Sequence, residues 1–362
     1  MRSWSPEHIH HLARRAVGGR APIDDVASRR EVLCPEEEVD LEPAIMLAGE
    51  EDKIVALHPE TTRELEERRL RGGRVVHAPT IAHWIEGAKL RDFSLYKGRW
   101  SHHLSAVEGA PRGGLVRRFD RPAALATSLL GGTYFGHWLR DDVAAYLLAE
   151  EAGEPVSTRL PASWPHARFY AGVFGQSWEP TDMADFSEIA VFTDFSQNSG
   201  KVARYERLRS RMRAAVRPER GGHRVYLRRG DGGANRRNMT NEEELIALLR
   251  AEGFMIVDVV AHPIEDIAAR LLDAALVVSI EGSHQNHALP TVRADGGLVT
   301  INPPSMFCNA ARDWSAALGL KFGVVVGEQD GDGFRAPLAA LMKTVERVEA
   351  AAAGAPQRAL GA

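Results

Sequence analysis

The stretch Leu276-Val-Val-Ser-Ile280, followed directly by Glu281-Gly-Ser-His-Gln-Asn-His287, decides the fold of this chain. A short β-branched run that ends in polar residues is typical of a buried strand leading into a ligand-binding loop. From about residue 223 onward, similar runs alternate with helix-patterned segments, and this alternation predicts a parallel sheet covered by helices. Roughly 20 to 30 residues separate the starts of successive runs, which is room for one crossover helix each. The predicted strands are 224–227, 255–260, 276–280, 298–301 and 322–326.

Local signals place helices between these strands. Thr240 stands three residues before Glu243, as in a capping box, and Gly253 follows the apolar periodicity where a C′ residue belongs. Pro263 opens a second helical segment, 264–272. These signals predict that the loop after each strand ends at a helix start.

The first half of the chain predicts a second lobe. Breakers and charges at 217–222, after a predicted basic helix at 201–216, indicate a domain boundary, so we expect an N-terminal lobe at 1–216 and a C-terminal lobe at 223–345. Residues 30–110 are β-rich in pattern, whereas 120–216 are α/β, with an amphipathic helix at 137–151 and an apolar strand near 169–174. The Ala-rich segment 346–362 is expected to be a fraying tail. The predicted fold class is α/β with two lobes, as the length also suggests.

Composition excludes several classes of protein. The 362 residues are 44% apolar and 26% charged, as in a globular protein. The 45 basic against 49 acidic residues give a net charge of −4, which does not favour nucleic acid or acidic lipid as a partner. Cys34 and Cys308 are too few for a disulfide framework or a cysteine-rich zinc site. With no window apolar enough for a membrane span and no secretion signal, we expect a cytoplasmic protein.

Two loops after predicted strands are candidate binding sites. Arg228-Arg-Gly-Asp-Gly-Gly-Ala-Asn-Arg-Arg-Asn238 combines glycines and arginines before a helix, which suits a diphosphate; the alternative is a solvated charged turn. The loop 281–287 is the strongest candidate, because polar residues at the end of a central strand are costly unless they bind something. Its alternative interpretation is a helix start capped by Ser283, with His284 and His287 merely exposed.

A third candidate site lies in the N-terminal half. In Gly131-Gly-Thr-Tyr-Phe-Gly-His137-Trp-Leu-Arg-Asp141, the positions of His137 and Asp141 are i and i+4 on one helix, so both could face a cleft. Alternatively, His137 is an interior residue and Asp141 an exposed charge. The chain lacks a complete dinucleotide fingerprint, a Walker motif and a G-x-S-x-G elbow. Adjacent histidine pairs do not share a helix face, and we predict no metal site.

The ordered set of these motifs resembles glycosyltransferase family 61, whose bacterial members are often labelled capsular polysaccharide biosynthesis proteins. The resemblance rests on Tyr226-Leu-Arg-Arg229, then Arg236-Arg-Asn-Met-Thr-Asn-Glu-Glu243, then Asp266-Ile-Ala and the apolar strand with its Gly-containing loop. The upstream segment Phe135-Gly-His137-Trp138-Leu139-Arg-Asp141-Asp142 is similar to the family's aromatic-x-His-Trp-Leu helix. The similarity covers about 120–305.

The resemblance implies an inverting, metal-independent hexosyl- or pentosyltransferase of the two-Rossmann (GT-B-like) type, acting in cell-surface polysaccharide synthesis. Such an enzyme needs no cofactor: its C-terminal lobe binds a nucleotide-sugar donor and its N-terminal lobe presents a glycan or lipid-linked acceptor. The family loop usually reads Pro-His-Gly-Ala, whereas this chain has Ile280-Glu281-Gly282-Ser283. The residues that the resemblance assigns to the donor are Arg228, Arg229, Arg237, Asn241, Glu242, Glu281, Gly282, Ser283 and His284.

On the acceptor side, the resemblance points to His137 and Asp141. Our hypothesis is a direct displacement at the anomeric carbon in which Asp141 is the first choice for the base and His137 the second. A competing interpretation is a non-catalytic nucleotide-sugar or glycan-binding subunit, with Glu281 marking a lapsed active site. An epimerase or a phosphoryl-transfer enzyme on the same sheet would require a nicotinamide fingerprint or metal carboxylates, and neither is evident.

Overall fold

The computed structural model describes residues 11, 13–14, 19–104, 115–230 and 237–354. The chain forms two compact units. Unit 1 comprises Met1–Glu37 and His77–Tyr205, and unit 2 comprises Glu38–Val76 and Glu206–Ala362. The fold is a mixed α/β arrangement with several sheets.

Unit 2 is built on a five-stranded parallel sheet with the strand order β14-β13-β15-β16-β17. The predicted parallel sheet is therefore confirmed, and β15 lies at its centre. The observed strands begin and end within two residues of the predicted ones, because β-branched runs bounded by turn residues define strands locally. They are β13 Arg224–Arg228, β14 Met255–Asp258, β15 Leu276–Ile280, β16 Gly297–Asn302 and β17 Lys321–Val326.

Helices cover this sheet, and their apolar positions face it. Leu245, Ile246 and Leu249 of one helix, together with Leu341 and Val345 of another, pack on a core with Val278 and Val299 of the strands. The hairpin β18–β19, Glu328–Asp330 and Gly333–Arg335, follows the sheet. The unit 2 helices are α1 Arg63–Arg71, α5 Glu242–Ala251, α6 Ile264–Leu271, α7 Ala311–Ala317 and α8 Leu338–Ala353, with a 3-10 helix at Ser283–Ala288.

Residues 38–76 pack with unit 2, although the sequence placed them in the N-terminal lobe. Ile45 pairs with Gly323 of β17, the Val326 N–H donates to the Glu50 carboxylate at 2.5 Å, and the Asn309 N–H donates to Glu66 at 2.9 Å. These contacts join residues more than 240 positions apart, which no local pattern reveals. The segment contains α1, the 3-10 helix Glu51–Lys53 and the strand pair β2 Glu37–Leu41 and β3 Gly73–His77.

Unit 1 contains two mixed sheets rather than a second all-parallel one. In the first, β4 pairs antiparallel with β1 and β12, while β9 runs parallel to β12 and β10. The second has the order β7-β6-β5-β11-β8 and is mostly antiparallel. Turns join the antiparallel neighbours β5, β6 and β7, which need no crossover helix, whereas β8 and β11 run parallel. The strands are β1 Arg29–Cys34, β4 Thr80–Glu86, β5 Lys89–Arg91, β6 Ser94–Lys97, β7 Trp100–His103, β8 Arg117–Phe119, β9 Ala123–Leu125, β10 Glu154–Val156, β11 Ala184–Phe186 and β12 Glu188–Thr193.

The helical segments of unit 1 include the predicted helix near 137–151. It begins as Phe135–His137, passes through a π-helical segment at Trp138–Asp142 and continues as α2, Val143–Ala152. The predicted strand near 169–174 is wrong, because these residues form helix α3, Ala167–Val173, in which Tyr170 and Ala171 are buried. Helix α4, Ser199–Ala215, corresponds to the predicted basic helix and contains the unit boundary between Tyr205 and Glu206. Within the described ranges, no helix has both the length and the apolar character needed to cross a bilayer.

Candidate functional site

Unit 2 brings the described parts of the two predicted loops to one edge of its sheet; residues 231–236 of the first loop lie outside the described residues. Arg228 ends β13 and Glu281 follows β15, and these neighbouring parallel strands end at the same edge. β13 is the first strand of this sheet in the chain, and the next two strands lie on opposite sides of it, so the strand order reverses here. In open α/β sheets the crevice at such a reversal is where ligands bind.

Arg228 contacts three carboxylates. Its guanidinium lies 3.1 Å from Glu242, 3.2 Å from Glu243 and 3.4 Å from Asp258. The Tyr226 hydroxyl also donates to Glu242, at 2.9 Å. Arg228 and Glu242 therefore tie the end of β13 to the start of α5 and the end of β14.

Asn241 fixes the start of α5 to a distant part of unit 2. Its side-chain amide donates to the Ala336 carbonyl at 3.0 Å and accepts from the Ala336 N–H at 2.8 Å. The predicted capping box is wrong: α5 begins after Asn241, and the Thr240 hydroxyl donates to Asp330 at 2.5 Å instead of capping the helix. Gly253 does occupy the predicted C′ position, with φ of +80°.

Arg237 and Glu281 form a largely buried ion pair. Arg237 Nε and Nη2 donate to Glu281 Oε2 at 2.9 and 2.7 Å, and Nη1 lies 3.5 Å from the Met306 sulfur. Only 4% of the Arg237 side chain and 13% of the Glu281 side chain are exposed. Glu281 therefore neutralises Arg237 through its Oε2.

Arg229 lies against the loop that follows β15. Gly282 has φ of +149°, and a Cβ built there would lie 3.1 Å from Arg229 Nη1 and 3.2 Å from His284 Nδ1. A side chain at 282 would thus meet both groups. Burial lowers the pKa of Arg229, and the nearby Arg237 lowers it further, while Glu281 opposes them. Arg229, Arg237 and Glu281 therefore form one coupled charge cluster.

His284 is buried and neutral near pH 7. Burial, with the adjacent positive charges of Arg229 and Arg237, holds the pKa of His284 well below its usual value. The Ser279 hydroxyl donates to the Leu227 carbonyl at 2.8 Å, so His284 Nε2, also 2.8 Å from that hydroxyl oxygen, carries the ring proton. His284 Nδ1 is consequently an acceptor that lacks a partner within the described part of the chain.

The alternative in which both histidines of this loop are merely exposed does not hold. His284 and His287 are 7% and 1% exposed. Ser283 is exposed and is the first residue of the 3-10 helix, whose N-cap, Gly282, makes no side-chain cap.

The other cluster lies in unit 1, on the π-helical segment. His137 Nδ1 lies 3.1 Å from Asp141 Oδ2, as the i, i+4 spacing predicts. Arg140 lies between them, with Nη2 2.8 Å from Asp141 Oδ2 and 2.7 Å from His137 Nδ1. Such π segments are rare and occur often at functional sites. The alternative of an exposed, unpaired Asp141 is excluded by these contacts.

Sequence reasoning missed the residue that completes the Asp141 cluster. Lys201 of α4 is fully buried, and its Nζ donates to Asp141 Oδ1 at 2.8 Å and to the Asp194 carbonyl at 3.1 Å. Burial favours the neutral acid, but Arg140 and Lys201 outweigh it and hold the pKa of Asp141 well below its usual value. The sequence signal was only that of a basic helix, in which a buried lysine looks like a solvated one.

The neighbouring carboxyl behaves in the opposite way. Asp142 is buried beside Gly131 and accepts hydrogen bonds from Ser128, whose hydroxyl lies at 2.7 Å. Burial raises the pKa of Asp142 well above its usual value, although the Ser128 hydrogen bonds oppose the shift. Adjacent aspartates of one helical turn therefore favour different protonation states.

In the parts of the chain that the structure describes, no group of three or more His, Cys, Asp or Glu residues is arranged to hold a metal ion. Asp330 accepts the Thr240 hydroxyl and belongs to the β18–β19 hairpin. In unit 1 the cluster consists of His137, Arg140, Asp141 and Lys201 in direct contact, and in unit 2 the direct ion pair is Arg237–Glu281.

Comparison with known proteins relates part of this chain to a family model. No match was found among curated proteins. Residues 135–290, a range that includes His137, Asp141 and Lys201 as well as Arg229, Arg237 and Glu281, match the family model described as Glycosyltransferase 61. The match lies over the segments on which both clusters are built, so this part of the chain is similar to that family, and the similarity supports a transferase.

Proposed function

We propose that this protein transfers a hexosyl or pentosyl group from a nucleotide-sugar donor to a hydroxyl of a glycan or lipid-linked acceptor. The transfer inverts the anomeric configuration and needs no metal. It takes place on the cytoplasmic side, in cell-surface polysaccharide synthesis. Unit 2 binds the donor and unit 1 activates the acceptor, a GT-B-like division of labour. The observation that supports this proposal most is the cluster of Arg229, Arg237 and Glu281 at the strand-order reversal.

In this proposal the donor residues divide into two groups. Arg229 and Arg237 contact the diphosphate, and Gly282, Ser283 and His284 line the pocket. A dianionic diphosphate competes with the Glu281 carboxylate for Arg237, so donor binding must loosen that ion pair. Arg228, Asn241 and Glu242 hold the loop and helix start through their contacts within unit 2.

The contacts favour His137 over Asp141 as the base. Asp141 Oδ1 accepts from Lys201, and Oδ2 accepts from two nitrogens of Arg140 and, in one tautomer, from His137, so a cation contacts each oxygen. Its lowered pKa also makes it a weak base. Arg140 Nη2, which can only donate, lies 2.7 Å from the same Nδ1, so His137 can act as the base only once Arg140 leaves Nδ1. Nδ1 then carries the ring proton and donates to Asp141, which orients the ring, and Nε2 is the proton acceptor.

The reaction is then a single displacement. His137 Nε2 takes the proton of the acceptor hydroxyl, and the oxygen forms a bond to the anomeric carbon. The bond from that carbon to the phosphate oxygen breaks, and its electron pair leaves with the nucleoside diphosphate. Arg229 and Arg237 stabilise the charge that develops on the leaving group.

A thermal-shift screen with uridine, guanosine, cytidine and thymidine diphosphates tests donor binding. A ligand at 100 times its Kd adds about 2.7 kcal/mol of stability, so one nucleotide is expected to raise the unfolding midpoint clearly. Arg229→Ala should abolish the shift and lower sugar transfer by roughly 100-fold or more, since lost transition-state donors cost this much. Arg250→Ala, an exposed change on α5, is the control and should leave both unchanged. If Arg229→Ala transfers sugar at the wild-type rate, the diphosphate assignment is wrong.

Substitutions of His137 and Asp141 test which of them is the base. His137→Asn should lower kcat by about 100- to 10,000-fold, the usual contribution of a general base. Asp141→Asn should lower kcat less, because the imidazole remains and only its orientation is lost. Turnover of a purified acceptor and donor pair is measured for both variants. Wild-type turnover in His137→Asn would remove His137 from the mechanism, and a larger loss in Asp141→Asn would return the base to Asp141.

The Glu281 ion pair favours a second candidate, a nucleotide-sugar-binding subunit without activity. Because Glu281 neutralises Arg237, the charge left for a leaving diphosphate is reduced. This candidate predicts nucleotide diphosphate binding with no transfer to any acceptor, in the wild type and in Glu281→His alike. Transfer by the wild type excludes it.

A further inference from the structure

We propose that Lys201 is a positioning residue of the candidate catalytic site, which keeps Asp141 ionised and fixed so that Asp141 can orient His137. The proposal rests on the function proposed above. Lys201 lies 60 positions from Asp141 in sequence and reaches it from a different helix, α4. None of the sequence motifs includes it.

The geometry of Lys201 leaves it two fixed contacts. Its side chain is 0% exposed, and Nζ donates to Asp141 Oδ1 and to the Asp194 main-chain carbonyl, at 2.8 and 3.1 Å. A buried ammonium is tolerated only when it is paired and hydrogen-bonded, so Lys201 and Asp141 each depend on the other. Because Nζ takes Oδ1, the other oxygen, Oδ2, is left for Arg140 and His137.

The carbonyl that Lys201 contacts is itself held in place. The Asp194 carboxylate accepts from Arg204 at 2.7 and 2.6 Å and from the Thr80 hydroxyl at 2.7 Å. The Lys201 N–H donates to the Asn198 side chain at 3.0 Å at the start of α4. The backbone of Lys201 and the partner of its Nζ are thereby both fixed, so the positive charge on Nζ has a fixed position.

Other charged or titratable groups around Asp141 do not replace Lys201. Arg140 and His137 reach Asp141 from its own helical segment and share Oδ2. The adjacent Asp142 adds no positive charge, and Tyr205 of α4 is buried with a hydroxyl that has no hydrogen-bond partner within the described residues. Lys201 is therefore the cation on Oδ1. Without it, Arg140 still opposes burial from Oδ2, but the pKa of Asp141 rises because one of its two neighbouring cations is lost.

The experiment that tests this role needs no substrate. The full-length chain is labelled at its aspartate side-chain carboxyls, and the Asp141 signal is assigned by its absence in Asp141→Asn. NMR then follows this signal as the pH is lowered from 7. In the wild type the pKa of Asp141 is well below its usual value. Lys201→Met should raise that pKa, so that Asp141 protonates at a higher pH, whereas Lys201→Arg should keep Asp141 ionised as in the wild type. Identical titration of Asp141 in Lys201→Met and wild type would overturn the proposal.

Turnover provides the second readout. Lys201→Met should lower kcat by about tenfold or more with little change in KM, because an interaction that acts on the base is lost. In the Asp141→Asn background, adding Lys201→Met should cause no further loss of kcat, since the group it positions is already absent. An equal loss in both backgrounds would show a structural role only and would overturn the proposal.

Controls separate this role from stability. Arg91→Met removes another buried cation of unit 1, paired with Asp185 at 2.5 Å, and should leave kcat per folded molecule unchanged. If Lys201→Met does not fold, Lys201→Gln, which also removes the positive charge but keeps a hydrogen-bond donor, takes its place in the Asp141 titration and in the kcat comparison. A failure of the proposed function can be distinguished from a failure of the Lys201 proposal. If the proposed function is wrong, His137→Asn and Asp141→Asn keep wild-type turnover, while the Asp141 titration still reports on Lys201.

Discussion

At the scale of single residues, the groups around an ionisable side chain, rather than its residue type, decide whether it is charged. Asp141 and Asp142 are adjacent, yet Lys201 and Arg140 keep the first ionised, whereas burial without a cation in contact favours the protonated second. The Arg237–Glu281 pair in unit 2 follows the same logic, since each group is buried against its counter-charge. A sequence shows the residue types but not which counter-charge reaches them.

The Asp142 carboxyl makes stability depend on pH. Because its folded pKa is raised, its favourable contribution is complete below the unfolded pKa and is lost as pH rises through the folded value. Asp142→Asn, which resembles the protonated acid, should therefore raise the unfolding midpoint at pH 8 and have little effect at pH 4. A gain of 1 kcal/mol corresponds to about 2 to 4 °C for a domain of this size.

Thermal unfolding of Asp142→Asn at both pH values checks this expectation. Asp120→Asn, at an exposed position, is the control and should shift neither midpoint. A lower midpoint for Asp142→Asn at pH 8 would mean that the Ser128 hydrogen bonds require the charged carboxylate.

At the scale of elements, strands with long β-branched runs were predictable and short aromatic runs were not. All five strands of the unit 2 sheet follow from local pattern, whereas the predicted strand near 169–174 is helix α3. Periodicity does not distinguish strand from helix in a short apolar run, and tertiary contacts then decide. The start of α5 likewise depends on Asn241 contacting Ala336, which lies 95 positions away.

The packing of α8 on β16 gives a prediction at this scale. A Cβ at Gly297 would lie 2.4 Å from Val348 and 2.8 Å from Leu276, so Gly297→Ala should force α8 away from the sheet. Overpacking of this kind costs about 1 to 3 kcal/mol of unfolding free energy. Chemical denaturation measures the loss, and hydrogen exchange in α8 should increase. Gly221→Ala, where a Cβ meets nothing within 4 Å, is the matched control in the same unit and should not destabilise.

At the scale of the whole molecule, the position of a segment in the chain does not tell which unit it packs in. Residues 38–76 precede most of unit 1 in sequence but belong to unit 2. Arg69 of this segment is largely buried and pairs with Glu66 and with Asp313 of α7, both at 2.5 Å. The segment is therefore held to unit 2 by charges as well as by the pairing of Ile45 with Gly323.

Arg69→Met should destabilise unit 2 selectively. Breaking a buried ion pair by removing one partner costs about 3 to 5 kcal/mol. Hydrogen exchange is expected to increase in α7 and β17, while amides of β4 and β12 in unit 1 keep their wild-type protection. Arg63→Met, at an exposed position of the same helix, serves as the control. Equal increases in both units would contradict the assignment of residues 38–76 to unit 2.

The sequence by itself determined the parallel sheet, the loops at its carboxyl end and the i, i+4 relation of His137 and Asp141. Local periodicity and turn residues specify each of these features. Only the tertiary structure decided that Arg228 contacts Glu242 and Asp258, that Glu281 neutralises Arg237 and that Lys201 lies buried on Asp141. These pairings join residues from about 14 to 60 positions apart. Which charges meet depends on how the elements pack, since a buried charge takes whichever partner the fold brings to it.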